Sequence, residues 1–152
     1  KIVDERNELT SQLGFYYPRT GEVNFKDSVV LINPDYKMYS DTLKYFTKTE
    51  VVGIVGPTEI FSDKNKIYSE LGFYDTRNDK ARLLRKNYID GGEQKLKGDT
   101  IIYDRQKGFV EVFSNMALED TTNNVIITGN YGYYNEITEE AFATKRAVLK
   151  QV

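Results

Sequence analysis

The segment Leu96–Leu118, LKGDTIIYDRQKGFVEVFSNMAL, contains the pattern that decides the fold. Two stretches rich in β-branched and aromatic residues, Lys97–Tyr103 and Phe109–Leu118, flank the turn-forming sequence Arg105-Gln106-Lys107-Gly108. Residues of the first kind favour strands, and glycine supplies the backbone freedom that tight turns require. The segment therefore predicts two strands joined by a turn.

The same pattern recurs five times along the chain. Five similar octapeptides each end in a Tyr, and these residues are spaced 29, 29, 29 and 31 positions apart: Tyr16, Tyr45, Tyr74, Tyr103 and Tyr134. Apolar residues follow every one of them in register, seven, nine and fifteen positions later. A fixed period of this length indicates a repeat architecture. We therefore predict an all-β fold of about ten antiparallel strands, built from five two-strand repeats of about 29 residues.

Two segments favour helix on intrinsic propensity, namely 80–86 (KARLLRK) and 139–150 (EEAFATKRAVLK). Both occupy the same position in the repeat as Val23–Leu31 and Val110–Leu118, which are rich in strand formers. Because tertiary context often overrides local propensity, we predict strands for both segments.

Composition excludes several classes of function. The 152 residues include neither His nor Cys, which excludes Ser–His–Asp triads, Cys nucleophiles, Cys/His zinc sites and disulfides. Lys plus Arg total 21 against 23 Asp plus Glu, so nothing favours a nucleic-acid partner. We expect no metal and no cofactor, and one domain over residues 1–152. The chain begins at Lys1 without a Met, which is compatible with a piece of a longer protein.

A polar position also repeats, four residues before each of the last four marker tyrosines, as Asp41, Glu70, Asp99 and Asn130. Carboxylates roughly 5–10 Å apart carry out glycoside hydrolysis, and neighbouring strands would place copies about one or two strand spacings apart. The alternative is a solvated position that bonds to the neighbouring backbone. The marker tyrosines have a similar ordinary interpretation, as a ladder that buries the rings and leaves the hydroxyls in water.

The aligned apolar residues allow two interpretations. They form either a dry core or, where two facing sheets about 10 Å apart do not close at one edge, an elongated apolar groove. A groove of this kind suits an acyl chain. The residues by themselves leave both interpretations open.

The segment 96–103 followed by 109–118 resembles the repeat of the OstA-like proteins, the periplasmic β-jelly-roll components of lipopolysaccharide transport. The segments 25–31 and 40–45 have the same pattern of residue types. The resemblance extends from about Leu9 to Leu149, and the regular Tyr spacing resembles the OstA-like proteins of Bacteroidetes-type bacteria more than the shorter enterobacterial bridge protein. It implies a twisted, V-shaped pair of antiparallel sheets whose interior shields the acyl chains of lipid A.

The resemblance further implies a non-enzymatic, periplasmic bridge module in transport to the outer membrane. Its partners would be the lipid A part of lipopolysaccharide and other jelly-roll transport components that pair through edge strands, with head-to-tail self-association as a further expectation. We predict eight groove-lining residues: Phe25, Leu31, Ile54, Ile60, Leu83, Ile89, Val112 and Leu118. The alternative for each is a plain core position. Two rival functions are a structural β scaffold that polymerises through its edges without lipid, and a carbohydrate-active protein that uses Asp99.

Overall fold

A computed structural model describes residues 1–3, 6–144 and 146–151. These residues form 17 β-strands and no helix: β1 (Ile2–Val3), β2 (Glu8–Thr10), β3 (Leu13–Tyr17), β4 (Glu22–Asn33), β5 (Tyr36–Phe46), β6 (Val51–Ile54), β7 (Thr58–Ser62), β8 (Lys66–Ser69), β9 (Leu71–Asp75), β10 (Lys80–Arg85), β11 (Asn87–Asp90), β12 (Gln94–Gly98), β13 (Thr100–Asp104), β14 (Phe109–Asp120), β15 (Val125–Asn135), β16 (Glu140–Thr144) and β17 (Val148–Gln151). All belong to one hydrogen-bonded sheet, and the all-β prediction is confirmed. No stretch of the described chain forms a helix long and apolar enough to cross a membrane.

The chain makes ten long passes through this sheet, and every pass bends near its middle. Four passes remain continuous strands, namely β4, β5, β14 and β15, while the other six are interrupted at the bend and count as two strands each. The short β1, which pairs with β2, is the seventeenth strand. The register shifts at the bends of β4 and β14. Residues with positive φ lie at these two bends, including Ser28 (52°) and Asn115 (53°). The predicted ten strands are therefore present as ten bent passes.

The bends divide the sheet into two halves that face each other. The tyrosine half contains β3, β6, β9, β10, β13 and β16, with the start of β4 and β14 and the end of β5 and β15. The aliphatic half contains β1, β2, β7, β8, β11, β12 and β17, with the remaining parts of those long strands. The halves join along the bend edge, and the tight turns of both lie along the opposite, turn edge.

The helix-favouring segments are strands, as predicted. Residues 80–85 form β10, and residues 140–144 and 148–151 form β16 and β17, with Lys145 outside the described residues. In β10, Ala81 pairs with Tyr74 on one side and Tyr103 on the other, and both Ala81 and Leu83 are buried. Burial within the ladder outweighs the weak helix propensity of this sequence.

The core consists of rows of side chains that run across the strands. In the aliphatic half one row is apolar through ten consecutive strand positions: Leu9, Leu31, Met38, Ile60, Ile67, Ile89, Leu96, Leu118, Ile127 and Leu149. In the tyrosine half a row alternates large and small residues, as in Tyr45, Val52, Tyr74, Ala81, Tyr103 and Val110. The alternation lets each Tyr ring fit between smaller neighbours across the strands.

Candidate functional site

The eight predicted lipid-binding residues all lie between the two halves of the sheet. Phe25, Ile54, Leu83 and Val112 occupy one row of the tyrosine half, while Leu31, Ile60, Ile89 and Leu118 occupy the long row of the aliphatic half. All eight belong to one hydrophobic cluster. Their exposed fractions run from 0% to 6%, and Ile89 (6%) and Leu118 (4%) are the least buried. The repeat register therefore brings them together on one continuous apolar surface.

The turn edge is closed by polar side chains over much of its length. The marker residues Tyr45, Tyr74 and Tyr103 are fully buried, and the latter two direct their hydroxyls at this edge. Asn65 of the aliphatic half donates its amide to the Tyr103 hydroxyl at 2.9 Å, and that hydroxyl donates to Glu136. The prediction that the hydroxyls lie in water is wrong for Tyr74 and Tyr103, because protein groups from both halves surround them.

A second polar cluster closes the edge around Tyr74. The Arg105 guanidinium donates to the Tyr74 hydroxyl at 2.9 Å, and this hydroxyl donates to Asp79 at 2.5 Å. The same guanidinium lies 5.2 Å above the ring of Tyr36, which packs 4.8 Å from the Tyr74 ring. Burial, the largest cause, raises the pKa of Tyr36 and Tyr74 well above their usual range. Both phenols therefore stay neutral, and the cluster holds one cation against one carboxylate.

Asparagines extend this closure toward the β3 end of the molecule. Asn33 donates its amide to the side-chain oxygen of Asn7 at 2.8 Å, and Asn7 in turn donates to the Thr76 hydroxyl at 3.0 Å. Asn7 and Asn33 belong to the aliphatic half, whereas Thr76 lies in a turn of the tyrosine half. All three side chains are buried, so their mutual hydrogen bonds offset the loss of water.

Two cavities border residues of the predicted apolar set. One is a cavity of about 160 Å³ on the turn edge, where Ile89, Leu96, Val110 and Leu118 form the apolar wall and Gly91 lies at the rim. The other is a cavity of about 440 Å³ at the β3 end, whose lining includes Phe25, Val23, Ile2 and Tyr16. Three of the eight predicted residues thus reach an opening, namely Phe25, Ile89 and Leu118. The remaining five, namely Leu31, Ile54, Ile60, Leu83 and Val112, line neither cavity.

The repeated acidic position lies on the bend edge, away from the apolar interior. The Asp99 carboxylate is exposed and accepts a hydrogen bond from the Asn115 amide at 2.8 Å. Along this edge an intervening pass separates Asp99 from Glu70, which puts the two positions two strand spacings apart, roughly 10 Å. Within the described ranges, no group of three or more acidic side chains could hold a metal ion.

Sequence reasoning missed Arg105 and Asn65 as interior residues. Arg105 belongs to a segment predicted as an exposed turn, yet its side chain is only 7% exposed. The missed signal is the turn register. Thr47, Thr76 and Arg105 each donate their backbone N–H to the carbonyl of a residue in the preceding turn of the tyrosine half. The side chain of the residue that donates this bond lies over the turn edge. A long cationic side chain at this position, such as that of Arg105, can therefore reach the facing half.

Comparisons with known proteins give a match among solved structures and a partial family match. The solved structure is that of LptH from Pseudomonas aeruginosa, described as the LptA-homologous periplasmic component of the conserved lipopolysaccharide transport device. The TM-score is 0.42 at 14% identity, and the match covers 96% of this chain and 94% of that one. No curated protein sequence matches this one. The family model of OstA-like proteins matches residues 1–41, which confirms over that part the resemblance predicted from the sequence.

Proposed function

We propose that this chain is a non-enzymatic lipid-binding module of lipopolysaccharide transport, which shields lipid A acyl chains between the two halves of its sheet. The observation that carries the proposal is the continuous apolar interior, which reaches openings at Phe25 and at Ile89 and Leu118. The OstA-like match over residues 1–41 supports the same assignment. Each acyl CH₂ group transferred from water into such an interior contributes about 0.8 kcal/mol.

The setting that we propose for this module is the periplasm, with residues 1–152 acting as one domain. The partners would be lipopolysaccharide and other jelly-roll components that pair with its edge strands. Among the described residues, β3 pairs only with β4, and β16 pairs only with β15. Tyr16 (61% exposed) and Leu149 (66%) continue the interior rows but lie uncovered on outermost strands. A second copy or a related module added to either edge would extend the same rows.

Photo-crosslinking in cells tests the lipid assignment. Benzoylphenylalanine placed at position 25 or 118 faces an opening of the interior, whereas the same residue at Phe73 lies on the outer face of the tyrosine half, where the native ring is 46% exposed. We expect lipopolysaccharide adducts at positions 25 and 118 and none at 73. Folded variants, checked by circular dichroism, that capture no lipopolysaccharide at either position would reject the proposal.

The two rivals make different predictions. A pure scaffold would form the same assemblies with and without lipopolysaccharide, so sedimentation velocity under both conditions separates it from a lipid module. A carbohydrate-active protein would depend on Asp99, whose carboxylate contacts only Asn115 among the hydrogen bonds seen here. We expect Asp99→Asn to leave lipopolysaccharide binding unchanged within experimental error. A variant that loses a sugar-dependent phenotype would instead support the rival.

A further inference from the structure

One rim position differs from its neighbours along the turn edge. In each pass of the aliphatic half, the residue two positions beyond the apolar row faces the interior and lies nearest the turn. Over six consecutive passes these rim residues are Asn33, Tyr36, Ser62, Asn65, Gly91 and Gln94. Of these six, Gly91 alone has no side chain to place across the edge. The rim is therefore interrupted at Gly91 by the amino-acid sequence itself.

The cavity of about 160 Å³ lies at this interruption. The inner part of its wall combines Ile89, Leu96 and Leu118 of the aliphatic half with Val110 of the tyrosine half, while polar side chains complete the lining. An apolar cavity of roughly 150 Å³ is large enough to hold a benzene molecule, that is, about six carbon atoms. The space therefore fits the end of one hydrocarbon chain, and it is far too narrow for a β-strand or a helix.

The hydrogen bond next to the interruption is a long one. Tyr134 donates to Gln94 at 3.5 Å, the limit of hydrogen-bond length, whereas the Asn65–Tyr103 bond on the other side measures 2.9 Å. Tyr134 is also less buried than Tyr103. Displacing the Tyr134 hydroxyl would widen the opening with little loss of hydrogen bonding. Farther along the turn edge, the hydrogen bonds of the buried Arg105 cluster and of the Asn7–Asn33 pair are shorter, at 2.9 and 2.8 Å.

We infer that the opening at Gly91 is a lateral acyl-chain site, where the end of a single chain passes between the turns and rests on Ile89 and Leu118. The polar head of the amphiphile stays outside, at a rim that carries Lys64 together with the carboxylates of Glu136 and Glu139. This inference rests on the proposed lipid-binding function. It adds where the acyl chain enters the interior, at Gly91 on the turn edge, and from which direction, from the side of the sheet.

Methyl NMR with decanoate as the probe locates the site. In protein that is deuterated except at Ile, Leu and Val methyl groups, we expect intermolecular NOEs from decanoate to Ile89 and Leu118. The methyl groups of Ile54 and Leu83, which are buried and line neither cavity, should give none. The short range of the NOE distinguishes this site from the larger cavity at the β3 end, where Val23 and Ile2 would respond instead.

The substitution Gly91→Asn restores a polar rim residue and should close the site. The φ of Gly91 lies outside the left-handed region, and an added Cβ would meet only the Gln94 carbonyl oxygen, at 3.3 Å. We expect at least a tenfold loss of decanoate affinity and loss of both NOEs. Gly56→Asn is the matched control, since an added Cβ at Gly56 meets nothing within 4 Å and this residue lies at the bend edge. Gly91→Ala adds only the Cβ, so it shows whether the contact with the Gln94 carbonyl oxygen disturbs the turn by itself.

The outcomes separate this inference from the proposed function. Decanoate NOEs to Val23 or Ile2 alone, or a Gly91→Asn variant that binds as well as the parent, would overturn the lateral site and leave the lipid module intact. If the cavity holds only water and decanoate gives no NOE although lipopolysaccharide still binds, the lateral site is likewise overturned and the lipid module stays intact. Absence of both decanoate and lipopolysaccharide binding would overturn both.

Discussion

The turn edge has a sealed stretch around Tyr74 and Arg105 and an open stretch at Gly91. The same aliphatic row lies beneath both stretches. Ile60 and Ile67 lie under the sealed stretch, and Ile89 and Leu118 lie under the open stretch. The difference lies in the residues above that row. Arg105, Tyr36 and Asp79 fill the edge of the sealed stretch, whereas the open stretch has a glycine at the rim and a single long hydrogen bond beside it.

The repeated apolar residues and the variable rim residues therefore have separate roles. The apolar rows recur in each unit and fix the two facing halves of the sheet. The rim residues change from unit to unit, and these changes decide where the interior is accessible. Four predictions test whether the two stretches differ in energy as they differ in geometry.

The largest expected effect is that of Arg105→Ala in the sealed stretch. This change removes the cation that faces Asp79 at 3.5 Å and leaves that carboxylate, whose side chain is only 13% exposed, and the Tyr74 hydroxyl without it. Breaking a buried pair in this way destabilises proteins by about 3–5 kcal/mol. Urea unfolding of the intact chain measures the loss. Arg77→Ala is the control, because Arg77 pairs with Glu50 at 2.9 Å but is 57% exposed, so its removal should cost about 0–1 kcal/mol. Equal losses for the two variants would contradict the sealed cluster.

The second prediction compares a fully buried leucine of the tyrosine half with a leucine beneath the open stretch. Leu83 is fully buried between β9 and β13, and truncation to Ala should leave a closed cavity at a loss of about 3–5 kcal/mol. Leu118 borders the cavity at Gly91, where water or neighbouring side chains can fill the space. We expect Leu118→Ala to cost about 1–2 kcal/mol less than Leu83→Ala, by the same urea measurement. A larger loss at Leu118 would show that the open stretch is packed at least as tightly as the closed interior around Leu83.

The third prediction compares two marker tyrosines. Tyr103→Phe leaves the buried Asn65 amide without its partner and removes the bond to Glu136, so we expect a loss of about 1–3 kcal/mol. Tyr134→Phe removes only the 3.5 Å bond to Gln94 from a partly buried site, and about 0–0.5 kcal/mol should be lost. Thermal unfolding of both variants beside the parent gives the comparison. Similar losses would mean that the edge is equally well closed at both places.

The fold could be predicted from the sequence because the core positions repeat. Val52, Ala81 and Val110 follow their tyrosines at one fixed distance, and strand pairing then aligns them without further information. The strands at 80–85 and 140–144 were predictable for the same reason, even though their local propensity favours helix. Periodicity alone carried these predictions.

The closure of the turn edge could not be predicted in the same way. Asn65 and Tyr103 are 38 positions apart and lie on facing halves of the sheet, while Arg105 and Tyr74 are 31 apart on strands separated by β10, so both contacts depend on the tertiary fold. A turn containing Arg, Gln, Lys and Gly is usually exposed, and nothing local distinguishes the buried Arg105 from its neighbours. The predicted apolar residues therefore lie where expected, while their accessibility depends on long-range polar contacts.

The smallest expected effect comes from one backbone position that the two stretches share. Gly21, Glu50, Asp79, Gly108 and Glu139 all have positive φ at the same place in successive turns of the tyrosine half. A residue with a side chain in this conformation is strained by about 1–2 kcal/mol, and glycine relieves the strain at an entropic cost of about 0.5–1 kcal/mol. Glu139 borders the opening with a φ of 60°, so Glu139→Gly should stabilise the protein by about 0.5–1 kcal/mol.

Asp79 has a φ of 57° at the equivalent place in the sealed stretch, and here the same substitution should have the opposite sign. Asp79→Gly relieves similar strain but removes the carboxylate that accepts from Tyr74 and faces the buried Arg105. Hydrogen bonds to charged groups contribute about 1.5–3 kcal/mol, which exceeds the relief of strain. Urea unfolding should therefore show a gain for Glu139→Gly and a loss for Asp79→Gly. A stabilised Asp79→Gly variant would mean that the polar cluster does not hold the edge closed, and the contrast between the two stretches would then reduce to the missing side chain at Gly91.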